Sequence, residues 1–178
     1  FGWDWAPRFV TCGIWKPVYL EFHHTARISD VRIEQRELTD HKASIRVEVD
    51  FEQYREYPLE IDVNGSRKSI QSNSGKQSAV VDIEIKNPEL WWPNGGGDQN
   101  LYYLPIKLYQ KGMVIDSAHK TIGLRTVELV NEPDSIGTSF YFKVNGKPMF
   151  MQGANYVPQD VFLPRVKPNQ YRQLLIDA

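Results

Sequence analysis

An aspartate flanked by two tryptophans opens the chain, in Gly2-Trp3-Asp4-Trp5-Ala6-Pro7. A sugar presents hydroxyls at its rim and weakly polar C–H faces. A carboxylate accepts hydrogen bonds from the hydroxyls, and an indole ring offers a flat surface for the C–H face. Trp3, Asp4 and Trp5 therefore have the chemistry of a carbohydrate contact. The same residues also fit a structural role, with both rings in a core and Asp4 closing a turn, because tryptophan is highly buried on average.

Two later stretches invite the same question. In Leu90-Trp91-Trp92-Pro93-Asn94-Gly95-Gly96-Gly97, adjacent tryptophans on an extended chain point to opposite faces. One ring would fill a core and the other would meet a neighbour. The glycines that follow lack the lysine and helix start of a phosphate-binding loop. In Gly153-Ala154-Asn155-Tyr156-Val157-Pro158-Gln159-Asp160, Asn155 and Asp160 could face a substrate if the preceding strand opens a barrel, whose sites lie at the C-terminal ends of strands. Ordinary loop chemistry, with Asp160 as a cap, explains them equally well. His23 and His24 are sequence neighbours, so on a strand they face opposite ways. Cys12 has no partner at a metal spacing. No nucleophile elbow occurs. Asn64-Gly65-Ser66 is a formal glycosylation sequon but reads first as a hairpin turn.

Short alternating strands position these loops. The apolar sets are Val31 and Ile33; Ala43 to Phe51; Leu59, Ile61 and Val63; Ala79 to Ile85; Leu104, Ile106 and Leu108; and a segment around Met113 to Ser117. Period-two alternation with a turn every ten or so residues predicts an antiparallel, immunoglobulin-like sandwich over about residues 25–122. GIWKPVYLEF reads as a strand with Pro17 at an edge or bulge. Phe140, Phe142 and Val144 run into the hairpin pair Asn145-Gly146. The returning KPMFMQGANY is apolar enough for a strand buried on both faces. Pro168 starts a helical stretch ending at Ala178.

The bulk composition narrows the classes. The 178 residues carry 21 Lys+Arg and 22 Asp+Glu, a net charge of −1. Nothing basic invites nucleic acid, and no apolar run approaches the roughly 20 residues that span a bilayer. With one cysteine, no disulfide forms within the chain. A start without Met and an end inside a helical stretch are expected of a fragment.

Four stretches, in order, resemble the β-mannosidases of glycoside hydrolase family 2: FGWDWAPRFVTCGIWKPVYLE, LWWPNGGGDQNLYYL, IGLRTVELV and FKVNGKPMFMQGANYVPQD. The first is the most discriminating. Ala6 and Tyr156 are mild departures, standing where the family often has glycine and tryptophan. The resemblance implies a mainly β chain in three parts. Residues 1–24 would end a jelly-roll sugar-binding domain, and 25–122 would form the immunoglobulin-like sandwich. Residues 123–178 would hold a connector and the first strand, loop and helix of a catalytic (β/α)₈ barrel. It implies that Asp4 reaches the barrel mouth and hydrogen-bonds a terminal mannose; Trp3 and Trp5, which flank it, either contact the sugar or stiffen the loop, and Asn155 and Asp160 stay candidate substrate contacts on the barrel loop. No catalytic residue is expected in this chain, since the family's two glutamates would fall beyond Ala178. The pair Asn131-Glu132 mimics the family's acid/base motif but precedes the barrel.

The implied activity is retaining exo-hydrolysis of terminal β-D-mannose from a β-mannoside or mannose-containing oligosaccharide. No metal or cofactor is implied, and no nucleic-acid or membrane partner. The chain's implied contacts are with its own jelly-roll and barrel domains, and the fragment alone would be inactive. The family suggests a periplasmic, secreted or lysosomal setting. Two other readings of the residues remain: a non-catalytic carbohydrate-binding sandwich with Trp3, Asp4, Trp91 and Trp92 as its platform, or an adhesive sandwich with no sugar role.

Overall fold

Alternation along the strands decides the architecture. A computed structural model describes residues 7–71 and 73–177. Residues 7–21 and 152–177 form one compact unit, and residues 22–151 form another.

The larger unit is the sandwich with a small sheet attached. Strands β1 (Ala26–Leu38), β2 (Lys42–Gln53) and β5 (Gly75–Lys86) make one antiparallel sheet in the order β1-β2-β5. Strands β3 (Leu59–Val63), β4 (Ser66–Ile70), β6 (Tyr102–Gln110) and β7 (Met113–Ile122) make a second, in the order β4-β3-β6-β7. Their inner faces share one core. Ala43, Ile45, Val47, Val49 and Phe51 of β2 are fully buried, and so are Ile61 and Val63 of β3 and Ile106 and Leu108 of β6. Each of these sets occupies alternate positions, because successive side chains of a strand leave opposite faces. Gln53 is the one buried polar residue among those described. Its amide nitrogen donates to the carbonyls of Arg55 and Tyr57, both at 2.7 Å, and its oxygen accepts from Gln77 at 3.0 Å. Its hydrogen-bonding capacity is thus used, which offsets the cost of burial.

The outer face of the β1-β2-β5 sheet is a ladder of ion pairs. Arg32 reaches Asp50 at 2.8 Å and Glu48 at 3.0 Å, and Arg46 reaches Asp82 at 2.8 Å. Hydrogen bonds from Arg32 and then from Ser78 hold the Glu48 carboxyl below its ordinary range, and a hydrogen bond from Arg46 does the same for Asp82. That face is therefore a solvated one.

A third sheet follows in the same unit. Strands β8 (Val127–Val130), β9 (Tyr141–Val144) and β10 (Lys147–Met149) pair antiparallel in the order β10-β9-β8. Three hairpins turn on two-residue left-handed pairs: Asn64-Gly65, Lys111-Gly112 and Asn145-Gly146. Such turns match the twist of the strands they join.

Two expectations change. Residues 13–22 form no strand, and Ile14, Val18, Leu20 and Phe22 are exposed. Pro17 lacks an N–H, and no described strand pairs with this stretch. The strand after Asn145-Gly146 ends at Met149 rather than running on, and Phe150 is 86% exposed. A strand buried on both faces needs a layer packed on each, and residues 147–148 and 150–159 are exposed. The Asn64-Gly65 hairpin forms as expected, and its return strand β4 does so although its sequence, Ser66–Ile70, shows no apolar alternation. The Asn64-Gly65 turn folds it back onto β3 in register from Val63↔Ser66 to Leu59↔Ile70.

In the smaller unit a helix α1 (Pro168–Asp177) begins at proline, as its sequence predicts, after a 3-10 turn at Leu163–Arg165. Among the described residues no helix is long and apolar enough to cross a membrane.

Candidate functional site

Trp3, Asp4 and Trp5, the sequence's first candidates for a sugar contact, lie outside the described residues. Asn155 and Asp160 belong to the smaller unit. Asn155 is exposed on an irregular stretch. Asp160 is half-buried with both oxygens engaged. Oδ1 accepts the Phe162 N–H at 2.8 Å, and Oδ2 lies 3.2 Å from Arg165 Nε. Its carboxylate thereby closes the turn into residues 163–165 and pairs with a guanidinium. Aromatic pairs brace this unit: Phe9 against Phe162 at 5.3 Å, and Tyr156 edge-on to Tyr171 at 6.4 Å.

The paired tryptophans sit in the larger unit and serve packing. Trp91 bridges to Gln99, and its N–H donates to the Leu124 carbonyl at 2.8 Å. Gly123 lies so near that a Cβ there would come within 2.7 Å of the Trp91 Cγ. The Arg125 guanidinium stands 4.7 Å over the Trp91 ring. On the other side of the chain, Trp92 packs on Gly97, where a Cβ would fall 2.9 Å from its ring, and Lys147 of β10 reaches within 4.9 Å of the ring centre. The glycine-rich loop thus makes room for indoles rather than cradling an anion. Both tryptophans are half-buried, one toward the β7–β8 connection and one toward the small sheet.

Two residues that the motifs did not flag complete this cluster. Asn145, left-handed at φ 50°, accepts the Thr126 N–H on Oδ1 at 2.9 Å and donates from Nδ2 to the Trp91 carbonyl at 3.1 Å. Gln35 of β1 donates to the Arg125 carbonyl at 3.0 Å and accepts the Arg125 N–H at 3.3 Å. Asn145 is visible in the sequence only as half of a turn signal, and its second task depends on where Trp91 lies.

Neither of two cavities in the larger unit has the donor set of a sugar site. One, of about 520 Å³, is lined by Ile33, Gln35, Ile45, Ile122, Leu124 and Arg125 among others, and holds neither an aromatic ring nor a carboxylate. The other, of about 280 Å³, contains Tyr57, Tyr109 and Glu60. There Arg67 covers the Tyr109 ring at 4.6 Å and pairs with Glu60 at 3.8 Å, so ring and acid are both occupied. Among the described residues no three His, Cys, Asp or Glu side chains gather as a metal site. Asn131 and Glu132 lie between β8 and β9, and Glu132 is tied by its backbone to Ser139.

Comparison with known proteins gives this arrangement a lineage. Beta-mannosidase B of Aspergillus clavatus is 35% identical over 180 residues, and that of Aspergillus flavus 36% over 181, each covering 97% of this chain. The chain spans only 21% of the length of these relatives. The crystal structure of a β-D-mannosidase from Dictyoglomus thermophilum superposes with a TM-score of 0.90 at 41% identity, covering 98% of this chain and 23% of that one. An exo-chitosanase from Amycolatopsis orientalis shares the fold, with a TM-score of 0.70 at 24% identity over 86% of this chain and 19% of its own. The sequence profile of the family described as glycosyl hydrolases family 2 matches residues 26–125. This chain, with its two-sheet sandwich and attached three-stranded sheet, belongs to glycosyl hydrolases family 2.

Proposed function

We propose that this chain is an internal part of a retaining exo-β-mannosidase, which releases terminal non-reducing β-D-mannose. One observation carries the reading. The likeness to proteins named as β-mannosidases runs from end to end at 35–41% identity, whereas the exo-chitosanase matches less of the chain at 24%. In this reading residues 1–24 end a jelly-roll domain, 25–122 are the sandwich, and 123–178 lead into the catalytic barrel.

Retaining hydrolysis needs two carboxyl groups about 5–5.5 Å apart, one attacking the anomeric carbon and one protonating the leaving oxygen before activating water. Both belong to the part of the enzyme outside this chain. The chain contributes binding. Asp4 accepts hydrogen bonds from the hydroxyls of the terminal mannose, Trp3 and Trp5 flank it, and Asn155 and Asp160 lie on the loop that follows the first barrel strand. No metal or cofactor is required, because carboxylates and a pocket that favours the oxocarbenium-like transition state suffice.

The test is Asp4→Ala in the intact enzyme. Turnover of an aryl β-mannoside should fall by about a hundredfold or more with the fold retained, as expected when a hydrogen bond that strengthens in the transition state is removed. Near-normal turnover, or an intact enzyme that prefers another glycoside, would overturn the proposal.

A further inference from the structure

The dipeptide Asn-Gly occurs three times, as Asn64-Gly65, Asn94-Gly95 and Asn145-Gly146. Asparagine is a thermolabile residue. The backbone nitrogen of the next residue can attack its carboxamide carbon, and a glycine there puts no Cβ in the way. The attack needs a nitrogen without other engagements and a carboxamide able to turn toward it. All three pairs belong to the larger unit, so their surroundings compare directly.

Each hairpin pair has one of the two groups occupied. At Asn64-Gly65 it is the nitrogen. The Gly65 N–H donates to Asp62 Oδ1 at 2.9 Å, and Arg67 Nε donates to Oδ2 of the same carboxylate at 3.0 Å. At Asn145-Gly146 it is the carboxamide. Oδ1 accepts the Thr126 N–H at 2.9 Å, and Nδ2 donates to the Trp91 carbonyl at 3.1 Å. Both asparagines are left-handed, at φ 49° and 50°, and each donates its own N–H to a carbonyl at 3.0 Å, of Pro105 and of Thr126. Asn94-Gly95 differs on every count. Both residues are exposed, and Asn94 is not left-handed. Neither the Gly95 N–H nor the Asn94 carboxamide makes a hydrogen bond among the described residues.

The loop around this pair is closed at its ends. The Trp92 N–H donates to the Asp98 carbonyl at 3.0 Å, and the Gly96 N–H donates to the Pro93 carbonyl at 2.9 Å. Within it, a Cβ on Gly96 would fall 2.8 Å from Met149, and one on Gly97 would fall 2.9 Å from Trp92. A change of backbone length here has little room to be absorbed.

We propose that Asn94-Gly95 is a self-modification site, where asparagine converts to aspartate and isoaspartate with water as the only co-reactant, and that this conversion loosens the loop that carries the paired tryptophans. A bond forms between the Gly95 nitrogen and Asn94 Cγ, and the Cγ–Nδ2 bond breaks. The Gly95 nitrogen gives its proton to solvent, and Nδ2 takes one up and leaves as ammonia. The succinimide ring so formed adds one water at either carbonyl carbon. One opening leaves aspartate. The other leaves isoaspartate, whose backbone runs through the former side chain and is longer by one carbon. Both products add a negative charge, and the extra carbon falls inside the closure from Trp92 to Asp98.

The test stores the intact protein in mildly alkaline buffer and follows the conversion of amide to acid at the three pairs by peptide mass spectrometry. Asn94 should convert at least about tenfold faster than Asn64 or Asn145, a factor of the size that one or two opened hydrogen bonds impose. In concentrated urea the three pairs should convert at similar rates, because the dipeptide is the same and its surroundings are gone. Amide exchange in the stored protein should speed at Trp92 and Gly96 while β2 keeps its protection. Asn94→Ala, which has no carboxamide to cyclise, should show no such change on the same storage. Conversion at Asn64 or Asn145 as fast as at Asn94 would overturn the site, and so would an Asn94 that survives in the folded protein for as long as the unfolded one takes to convert. Conversion at Asn94 with unchanged exchange at Trp92 and Gly96 would overturn the loosening of the loop.

Discussion

At the scale of single residues, similar side chains do different work according to what stands nearby. Asn64 and Asn145 share a backbone conformation, yet only Asn145 finds a carbonyl and an N–H within reach. Asp160 spends its charge on Arg165 and a backbone N–H, so a sugar contact there would share an already engaged carboxylate. Gly123 is a residue whose missing Cβ matters. Gly123→Ala would press a methyl to 2.7 Å from Cγ, 2.8 Å from Cβ and 2.9 Å from Cδ1 of Trp91. Overpacking of this kind costs about 1–3 kcal/mol, measurable as a lowered denaturation midpoint in urea. An unchanged midpoint would mean that Trp91 can move aside freely.

At the scale of elements, the strands that face a core were legible and those defined by their partners were not. Residues 43–51 alternate so regularly that β2 needed no tertiary information. Its five apolar positions are all fully buried. By contrast, β4 is polar and exists because a two-residue turn lays it along β3. Residues 13–22 are apolar enough for a strand but have no described partner edge. The outer ladder on the first sheet carries a pH dependence. The folded-state carboxyls of Glu48 and Asp82 titrate below their ordinary values because arginines hydrogen-bond their charged forms. Their contribution is therefore complete above the unfolded-state pKa of about 4 and is lost as pH falls through the lower folded-state values. Both groups are solvent-exposed, so the effect is modest. Glu48→Gln combined with Asp82→Asn should flatten the acid limb of the stability curve below about pH 4 while leaving its shape near neutrality unchanged. An acid limb identical to the wild type's would show that these pairs add nothing.

At the scale of the molecule, the chain covers about a fifth of its curated relatives, and the proposed chemistry divides accordingly. Since retaining hydrolysis needs two facing carboxyl groups, and the reading places both outside this chain, residues 1–178 expressed alone should show no turnover of aryl β-mannosides. The intact enzyme should show it. Hydrolysis by the isolated chain would mean that an acid pair here had been overlooked.

The amino-acid order by itself determined the sandwich, its inward residues, its Asn-Gly hairpins and the family, because period-two alternation and short turn motifs are local codes that hold wherever the strands finally lie. It also singled out Asp4, Asn155 and Asp160 by chemical type. Only the tertiary structure decided that residues 13–22 are not a strand, and that Trp91, Arg125 and Asn145 come together. Those outcomes depend on contacts between residues up to 54 positions apart, as from Trp91 to Asn145, and no local pattern records which distant carbonyl will be left waiting for a donor.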